Sequence, residues 1–453
     1  MYEGVRELLR ISMLDIDNFD TPEWNPFGSF IKPGMRVLVK PNLVMHNNPS
    51  GFGTDCLYTH PSVIAAVVDY VAVALRGEGT IVIADAPMQS CDWDALIRES
   101  GLRELVDWYS SHGLNVFLKD LRGLRAVRHG SELIQEMVED ARGQIVDLGE
   151  SSSFSKLSYR RMKGLRITNY DPTELASHHS MNRHEYFVSQ ELLDANVVIN
   201  LPKAKTHRKA GLTGALKNMI GVNVRKEYLP HHTTGSVSDG ADEYERKSIL
   251  RRASAAIVDK RNAAMARGSV SQGALWKLSV VLGKAGMLAT GETNSEGSWW
   301  GNDTIWRTVL DLNKIVFYAD KGGVMRDVPQ RSMIVLSDMV TIGQGEGPLL
   351  PEPVEWGALA FSDDPIAHDI ALARLMGSDP SLIPVIREAS TYTGVYGWWH
   401  GSADIDVCRS NLSRFECPLG HLESMRDFAV VPTQGWAGHF ARCTAKKDES
   451  KAF

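Results

Sequence analysis

Over the first 200 residues, short apolar runs alternate with longer stretches in which apolar residues recur at helical spacing. Residues 37–39, 80–84 and 115–118 are short apolar runs, which is typical of buried strands. Residues 62–75 and 94–112 show the apolar spacing of helices. Strands that alternate with helices in this way predict an α/β fold, with a mostly parallel sheet and helices on both faces.

The rest of the chain continues this pattern less regularly. It predicts helices at 188–193, 211–220 and 365–376, and strands at 196–201, 333–336 and 358–361. Asp364 precedes a proline and suits the N-cap of the last of these helices. Asp303 or Thr304 could cap another helix that continues through Leu312.

Residues 235–297 differ in composition from their surroundings, because a charged stretch is followed by an alanine-rich one. This change predicts a helical insertion or cap, in which residues 286–297 form the flexible return. We therefore divide the chain into an α/β core at 1–234 and 301–400, a helical insertion at 235–300 and a C-terminal extension at 401–453.

Composition narrows the class of protein. The chain has 453 residues, of which 43% are hydrophobic and 23% charged, and a net charge of -6. This balance provides no global basic field, so we expect no nucleic-acid partner. No apolar run approaches the ~20 residues of a membrane span, and no signal peptide is apparent. Five scattered cysteines predict free, buried thiols and a cytoplasmic location, although Cys408 and Cys417 could approach one another.

Polar residues follow five of the predicted strands. In parallel α/β sheets, ligands bind beyond the carboxyl ends of the strands. If all five strands are parallel, their polar residues lie along one edge of the sheet. These residues are Lys40 with Asn42, Asp85, Lys203 with Lys205 and His207, Asp338, and Asp363 with Asp364.

The richest of these sets lies within residues 200–223 and includes six potential cations within fifteen residues. Small residues that follow them permit close backbone approach, and a helix beginning near Gly211 would direct free N–H groups at an anion. We therefore predict that this segment binds a phosphate or carboxylate. The predicted binding residues are Lys40, Asn42, Lys203, Lys205, Thr206, Thr213, Lys217 and Asn218. Arg208 and Lys209 could equally form a solvated basic loop.

Three side chains of the segment 200–223 are also candidates for catalysis. Lys205 and Lys217 are the predicted electrostatic groups, and His207 titrates near neutrality, as a general base or metal ligand does. A structural histidine that is hydrogen-bonded in a loop fits His207 equally well.

A divalent cation such as Mg²⁺ is a further hypothesis, because carboxylate oxygens are its preferred ligands. Asp338 and Glu346 bracket a glycine-rich segment, and Asp85 follows another strand. The alternative is that Asp338 caps a turn and that Glu346 is exposed.

The common signatures of several enzyme classes are absent from the sequence. It contains no P-loop, no H-E-x-x-H zinc motif, no G-x-S-x-G elbow and no G-x-G-x-x-G after a first strand. ATP binding through a P-loop is therefore not supported.

Several motifs together resemble the family called domain of unknown function 362, over roughly residues 35 to 400. They are V-K-P-N-L-V at 39–44, T-H-P at 59–61, D-A-P at 85–87, N-L-P-K-A-K-T-H at 200–207, T-G-A-L-K-N-M-I-G-V-N at 213–223, the turn that ends at Pro348 and D-P-I-A-H-D at 364–369. The chain is similar to a longer subtype without the ferredoxin-like cysteine cluster of some members, so no iron–sulfur cluster is expected. That subtype implies a surface-polysaccharide or natural-product pathway.

The favoured hypothesis is an enzyme that acts on an anionic small molecule through electrostatic clamping and general acid–base chemistry. A non-catalytic metabolite-binding or regulatory protein is the alternative. A redox protein is disfavoured, because the cysteines are not clustered. The oligomeric state, including a homo-oligomer, is left open.

Overall fold

The computed structural model describes residues 1–129, 132–269, 272–397, 406–412, 415–423 and 428–440. Within them, the central sheet has eight strands. Five are parallel to one another, in the spatial order β3, β2, β1, β10 and β14. These strands are β1 (Arg36–Pro41), β2 (Thr80–Asp85), β3 (Val116–Asp120), β10 (Val197–Leu201) and β14 (Ser332–Glu346).

The other three strands of the sheet extend it around β14. The chain leaves β10, passes Pro202 and continues along β14 in parallel as β11 before it turns back as β12. On its other side, β14 forms a long antiparallel hairpin with β15. These strands are β11 (Lys203–His207), β12 (Gly211–Thr213) and β15 (Leu350–Ser362).

Helices cover both faces of this sheet, which confirms the predicted fold class. Side chains alternate along each strand, so Val37 and Val39 pack on one face while Leu38 packs on the other. The Val37 face packs against α1 (Tyr2–Ile11), α2 (Pro61–Leu75), α3 (Trp93–Glu99) and α4 (Leu102–Ser111). The Leu38 face packs against α8 (Ala215–Asn218), α11 (Ile305–Tyr318), α12 (Pro365–Leu375) and α13 (Pro384–Ser390).

The remaining elements form smaller layers beside the sheet. The strands pair as β4 (Leu124–His129) with β5 (Glu132–Met137), β6 (Gly143–Asp147) with β9 (Arg183–Ser189), β8 (His179–Ser180) with β9, β7 (Leu165–Arg166) with β13 (His232–Thr233), and β16 (Val407–Cys408) with β17 (Cys417–Pro418). The helices are α5 (Tyr159–Lys163), α6 (Pro172–His178), α7 (Gln190–Leu193), α9 (Ile249–Ala266) and α10 (Gln272–Thr290).

Helices α9 and α10 pack against each other and belong to the predicted insertion. Its return segment docks on the core, because Lys209 donates to the carbonyl oxygen of Glu296. The insertion is therefore attached to the cation-rich segment at 200–223.

Three predicted helices are corrected. The predicted helix at 94–112 is divided into α3 and α4 by Gly101, which has a φ of +77°. The segment 188–193 begins as the end of β9 and becomes helical at Gln190. The segment 211–220 begins with strand β12, which hydrogen-bonding to β11 stabilises in preference to a helix.

The caps of two later helices were also predicted. Asp364 caps α12, because its Oδ1 accepts from the amides of Ile366 and Ala367. Thr304 is the N-cap residue of α11, as one of the two predicted positions, but it makes no side-chain cap hydrogen bond. Oδ1 of Asn302 accepts from the amides of Thr304 and Ile305 instead.

Strand β14 does not end at Asp338, as the sequence pattern predicted, but runs on to Glu346 as half of the hairpin. Strand β15 is antiparallel, and its last residue, Ser362, pairs with Val335 near the start of β14. Asp363 and Asp364 therefore follow a strand that runs in the opposite direction to β1, β2 and β10, not one parallel to them.

No helix in the described part of the chain is long and apolar enough to cross a membrane. Cys56 and Cys91 are buried free thiols. Cys408 and Cys417 are opposite each other in the β16–β17 ladder, as free and partly exposed thiols. Cys443 lies outside the described residues.

Candidate functional site

A pocket of about 190 Å³ lies beyond the carboxyl ends of β1, β2 and β10. Six parts of the chain build it: the loop after β1, the loop after β2, the segment before α6, the cation-rich segment, the stretch 226–231 and the turn after β14. We call it the cationic pocket. Its main lining residues are Asn42, Asp85, Gln89, Thr168, Tyr170, Lys205, His207, Arg208, Lys209, Thr213, Lys217, Asn218, Gly221, Lys226, His231 and Pro348.

Lys40 and Asp85 form a buried ion pair below the pocket, with 2.7 Å between Nζ and Oδ1. The Asp85 carboxylate also accepts hydrogen bonds from the amides of Leu43, at 2.7 Å, and Ala86, at 2.8 Å. Its oxygens are thus occupied by protein donors. The pair ties the end of β1 to the end of β2 and leaves neither charge free for a ligand.

Gly221 lies directly over this ion pair. A Cβ at this position would be 2.0 Å from Oδ1 of Asp85 and 2.7 Å from Nζ of Lys40, a separation that no packed structure accepts. The backbone can approach the pair because position 221 has no side chain.

Replacement of Gly221 by alanine is therefore expected to lower the unfolding free energy by about 1–3 kcal/mol, the usual cost of overpacking a filled interior. Chemical denaturation measures this change. Gly273→Ala is the matched control, because nothing lies within 4 Å of the added Cβ on α10. Equal stability of the two variants would contradict the proposed close packing.

Lys203 is also paired, although it was predicted to bind the anion. Its Nζ lies 2.9 Å from Oδ2 of Asp338, and both side chains are almost completely buried. The same oxygen accepts from the amide of His60 at 2.8 Å. Lys203 therefore joins β11 to β14 and lies outside the cationic pocket.

Three asparagines connect the strands to the cation-rich segment. Nδ2 of Asn42 donates to Oδ1 of Asn218 at 3.0 Å, and Nδ2 of Asn218 donates to Oδ1 of Asn200 at 2.8 Å. Nδ2 of Asn200 donates to the carbonyl of Ala215 at 2.9 Å. This chain fixes the position of α8, which carries Lys217. Oδ1 of Asn42 is buried at the pocket wall and has no partner among the residues that the structure describes.

Two lysines of the pocket have no hydrogen bond or ion pair within the described residues, namely Lys217 and Lys226. Burial, followed by repulsion from Lys226 and Lys209, lowers the pKa of Lys217 to about 7. Burial also lowers the pKa of Lys226 to about 8. Both side chains are partly exposed to the pocket, and neither ammonium group is neutralised by an acid among the described residues.

Two further lysines are bound only by uncharged groups. Nζ of Lys205 donates to the carbonyl of Leu57, and burial with repulsion from Lys203 lowers its pKa to about 7. Nζ of Lys209 donates to the carbonyl of Glu296, and burial lowers its pKa to about 8. Among the described residues that line the pocket, Asp85 is the one acid, and Lys40 already neutralises it. The pocket therefore has an excess of positive charge.

His207 faces the pocket as a hydrogen-bond donor. Its Nδ1 accepts from the amides of Lys209 and Ala210, both at 3.1 Å. Burial, then repulsion from Lys217, holds the pKa of His207 well below its usual value, so the ring is neutral. A neutral imidazole that accepts at Nδ1 has its proton on Nε2. This arrangement argues against His207 as a general base.

His231 has the opposite tautomer. Its Nδ1 lies 2.7 Å from the carbonyl oxygen of Leu229 and therefore donates to it. Burial, then repulsion from Lys209, holds the pKa of His231 well below its usual value. Nε2 of His231 is thus an unprotonated nitrogen in the wall of a cationic pocket, where it can accept a proton or a hydrogen bond.

The two predicted threonines have different surroundings. Oγ1 of Thr206 donates to the carbonyl of Gly345 at 2.8 Å and so joins β11 to β14. Oγ1 of Thr213 is buried and has no partner within the described ranges, and Thr213 lines the cationic pocket. Thr213 therefore has a hydroxyl available for a ligand, whereas Thr206 has a structural role.

The predicted helix N-terminus is not available to an anion. The amides of Ala215 and Leu216 donate to the Asp369 carboxylate, at 2.6 and 3.0 Å. A Cβ at Gly214 would overlap this carboxylate at 2.2 Å. A side chain of the protein thus takes the place that was predicted for a ligand.

The three predicted metal ligands do not converge. Asp338 is bound by Lys203, Asp85 by Lys40, and Glu346 accepts from the amide of Gln434 at 2.6 Å. Asp338 and Glu346 are eight residues apart on one strand, which separates them by roughly 26 Å. The described residues contain no group of three or more histidine, cysteine or acidic side chains that could hold a metal ion.

Lys226, His231 and Tyr170 line the pocket but were not among the predicted site residues. Lys226 and His231 lie just beyond the segment 200–223, in a stretch without a clear strand or helix pattern. The H-H pair at 231–232 was a visible signal. Adjacent histidines point in different directions, however, and only His231 faces the cationic pocket.

The family model described as domain of unknown function (DUF362) matches residues 37–137 and 139–374. The chain belongs to this family. The match includes every residue of the cationic pocket, and it confirms the resemblance that the sequence motifs indicated.

One similar curated protein is a thylakoid-associated protein of Synechocystis sp. (strain ATCC 27184 / PCC 6803 / Kazusa). It is 28% identical over 194 residues, which cover 43% of this chain and 41% of that protein. The match thus spans less than half of the relative's length. No solved structure matches the chain significantly.

Proposed function

We propose that the cationic pocket binds a small phosphate- or carboxylate-bearing molecule and that the protein is an enzyme acting on it. The observation that carries this proposal is that Lys217 and Lys226 have no counter-charge among the described residues. Positively charged ammonium groups that share a pocket with no acid to neutralise them repel one another, which costs free energy. A bound anion would offset this cost with charged hydrogen bonds of about 1.5–3 kcal/mol each.

The predicted residues would have two different roles in such a site, ligand binding and support of the pocket walls. Lys205, Lys209, Lys217 and Lys226 would surround the anion, and Thr213 would donate from its free hydroxyl. Lys40, Lys203 and Asn218 would hold the walls in place. A divalent cation is still a hypothesis, because the described residues bring no group of three or more metal-binding side chains together.

The two histidines suit proton transfer to and from a bound anion. His231 would accept a proton at Nε2, and His207 would donate from Nε2 to an oxygen that gains negative charge. The lysines would stabilise that charge in a site shielded from water. Turnover of the bound molecule separates this enzyme from a metabolite-binding protein. The cytoplasm is our proposal for its location, on the basis of the free cysteines.

Sulfate binding at different pH values tests the proposal, because sulfate is a tetrahedral dianion that does not titrate between pH 6 and 9. Lys205 and Lys217 lose their protons around pH 7, and Lys209 and Lys226 around pH 8. Only the protonated lysines attract the anion. We therefore expect sulfate affinity to fall by at least about tenfold between pH 6.5 and 9, because at least one charged hydrogen bond is lost.

Isothermal calorimetry measures this affinity, and chloride at matched ionic strength is the control for screening. Because bound sulfate favours the protonated lysines, binding at pH 8 should also take up protons from the buffer. Binding that is independent of pH, or chloride that binds as well as sulfate, would argue against the proposal.

A further inference from the structure

A second pocket of about 280 Å³ lies between helices α9 and α10 of the insertion and the core. We call it the insertion pocket. Residues Ile167 and Thr168 line both pockets, so the two share one wall. Oγ1 of Thr168 donates to the Glu296 carboxylate at 3.2 Å and lies 3.4 Å from Nζ of Lys209. The junction therefore connects a lysine of the cationic pocket to an acid of the insertion pocket.

The charged side chains that line the insertion pocket are balanced in sign, with Arg166, Arg251 and Lys284 against Glu243, Asp259 and Glu296. Arg166 is paired with Asp259 at 3.0 Å, and Arg251 with Glu292 at 3.0 Å. Glu243 has no ion pair among the described residues, and burial raises its pKa to about 7. In contrast to the cationic pocket, this one has no excess charge of one sign, which favours an uncharged ligand group.

Two buried polar atoms in its wall have no partner in the part of the chain that the structure describes. They are Oδ1 of Asn262 and Nδ1 of His232, whose side chains are 2% and 6% exposed. Buried polar atoms of native proteins are nearly always hydrogen-bonded, to the protein, to water or to a ligand. Oδ1 of Asn262 accepts only, so it requires a donor such as a hydroxyl group. Trp276 and Met287 supply an apolar surface in the same pocket.

We infer that the insertion pocket binds a neutral, hydroxyl-bearing group, such as a sugar or cyclitol ring, that belongs to the same molecule as the anion. A ring of this kind has hydroxyl donors for Asn262 and an apolar face for Trp276. This inference rests on the proposed function, because it assigns the anionic end of the molecule to the cationic pocket. The insertion then determines which anions the protein selects.

Calorimetry on the full chain with inorganic phosphate, glucose 1-phosphate and phenyl phosphate tests this assignment. Glucose 1-phosphate should bind about tenfold more tightly than inorganic phosphate, because hydroxyl hydrogen bonds contribute in addition to the phosphate. Phenyl phosphate, which has a ring without hydroxyls, should not show this gain. In Asn262→Leu the gain should disappear, while the affinity for inorganic phosphate stays unchanged.

Lys260→Leu, at an exposed position of the same helix, is the control and should retain the gain. Oδ1 of Asn262 makes no hydrogen bond among the described residues, so its replacement removes none there. The melting temperature of Asn262→Leu checks that this variant is folded. Phosphate binding without any gain for glucose 1-phosphate, or an equal gain for phenyl phosphate, would overturn this inference alone. If neither phosphate nor either ester binds, the proposed function fails together with it.

Discussion

Replacement of Lys203 by methionine is expected to cost the protein about 3–5 kcal/mol of unfolding free energy, the usual effect of removing one partner of a buried ion pair. The substitution leaves the Asp338 carboxylate buried, with only the amides of His60 and Val340 as donors. Lys203 also joins β11 to β14, so its loss weakens the strand that leads into the cationic pocket. Urea denaturation followed by circular dichroism measures the change.

The double variant Lys203→Met with Asp338→Asn is the control for this prediction. It removes the uncompensated charge and should recover part of the lost stability, because a neutral amide is easier to bury than a carboxylate. If the single variant loses less than about 1 kcal/mol, which is typical of an exposed pair, Lys203 does not have the structural role that its geometry indicates.

Strands β1, β2 and β10 could be predicted from the sequence because they are buried on both faces. Such strands appear in the sequence as continuous apolar runs, which can be recognised without knowing which strands they pair with. The hairpin of β14 and β15 was missed, because residues such as Gly343 and Gly345 break the apolar pattern. Gly343 is nevertheless required within the sheet, since a Cβ there would be 2.8 Å from the carbonyl oxygen of Cys56. The close approach of another segment thus requires glycine within a strand, although glycine has a low β-strand propensity.

The candidate site was located from the sequence, but the roles of its residues could not be assigned. Lys203 and Lys217 look alike in the sequence, since each lies in a segment of small and apolar residues. Only the fold shows that Lys203 meets a carboxylate from a strand 135 positions away, whereas Lys217 meets none. Asp369 likewise accepts hydrogen bonds from the distant amides of Ala215 and Leu216, which its place in the sequence does not indicate. Pairing across distant segments is a property of the folded chain and leaves no local pattern.

Joint replacement of Lys217 and Lys226 by methionine is expected to reduce sulfate affinity at pH 6.5 by about 100-fold or more, because two charged hydrogen bonds of about 1.5–3 kcal/mol are lost. The free protein should be at least as stable as before. Neither ammonium has a partner among the described residues, and burial lowers both pKa values, so these charges oppose folding below pH 7. Methionine has a similar length and can be buried without such a cost.

This combination of lost binding and retained stability distinguishes a ligand site from a structural one. A site that evolves for binding holds charges that are unfavourable until the ligand arrives, whereas a structural lysine such as Lys203 stabilises the free protein. Calorimetry with sulfate and thermal melting without it give the two measurements on the same variant. The double variant should melt no earlier than the unmodified protein, yet sulfate should no longer raise its melting temperature. A clear loss of stability without sulfate would show that Lys217 and Lys226 support the fold, and the proposed anion site would lose its main argument.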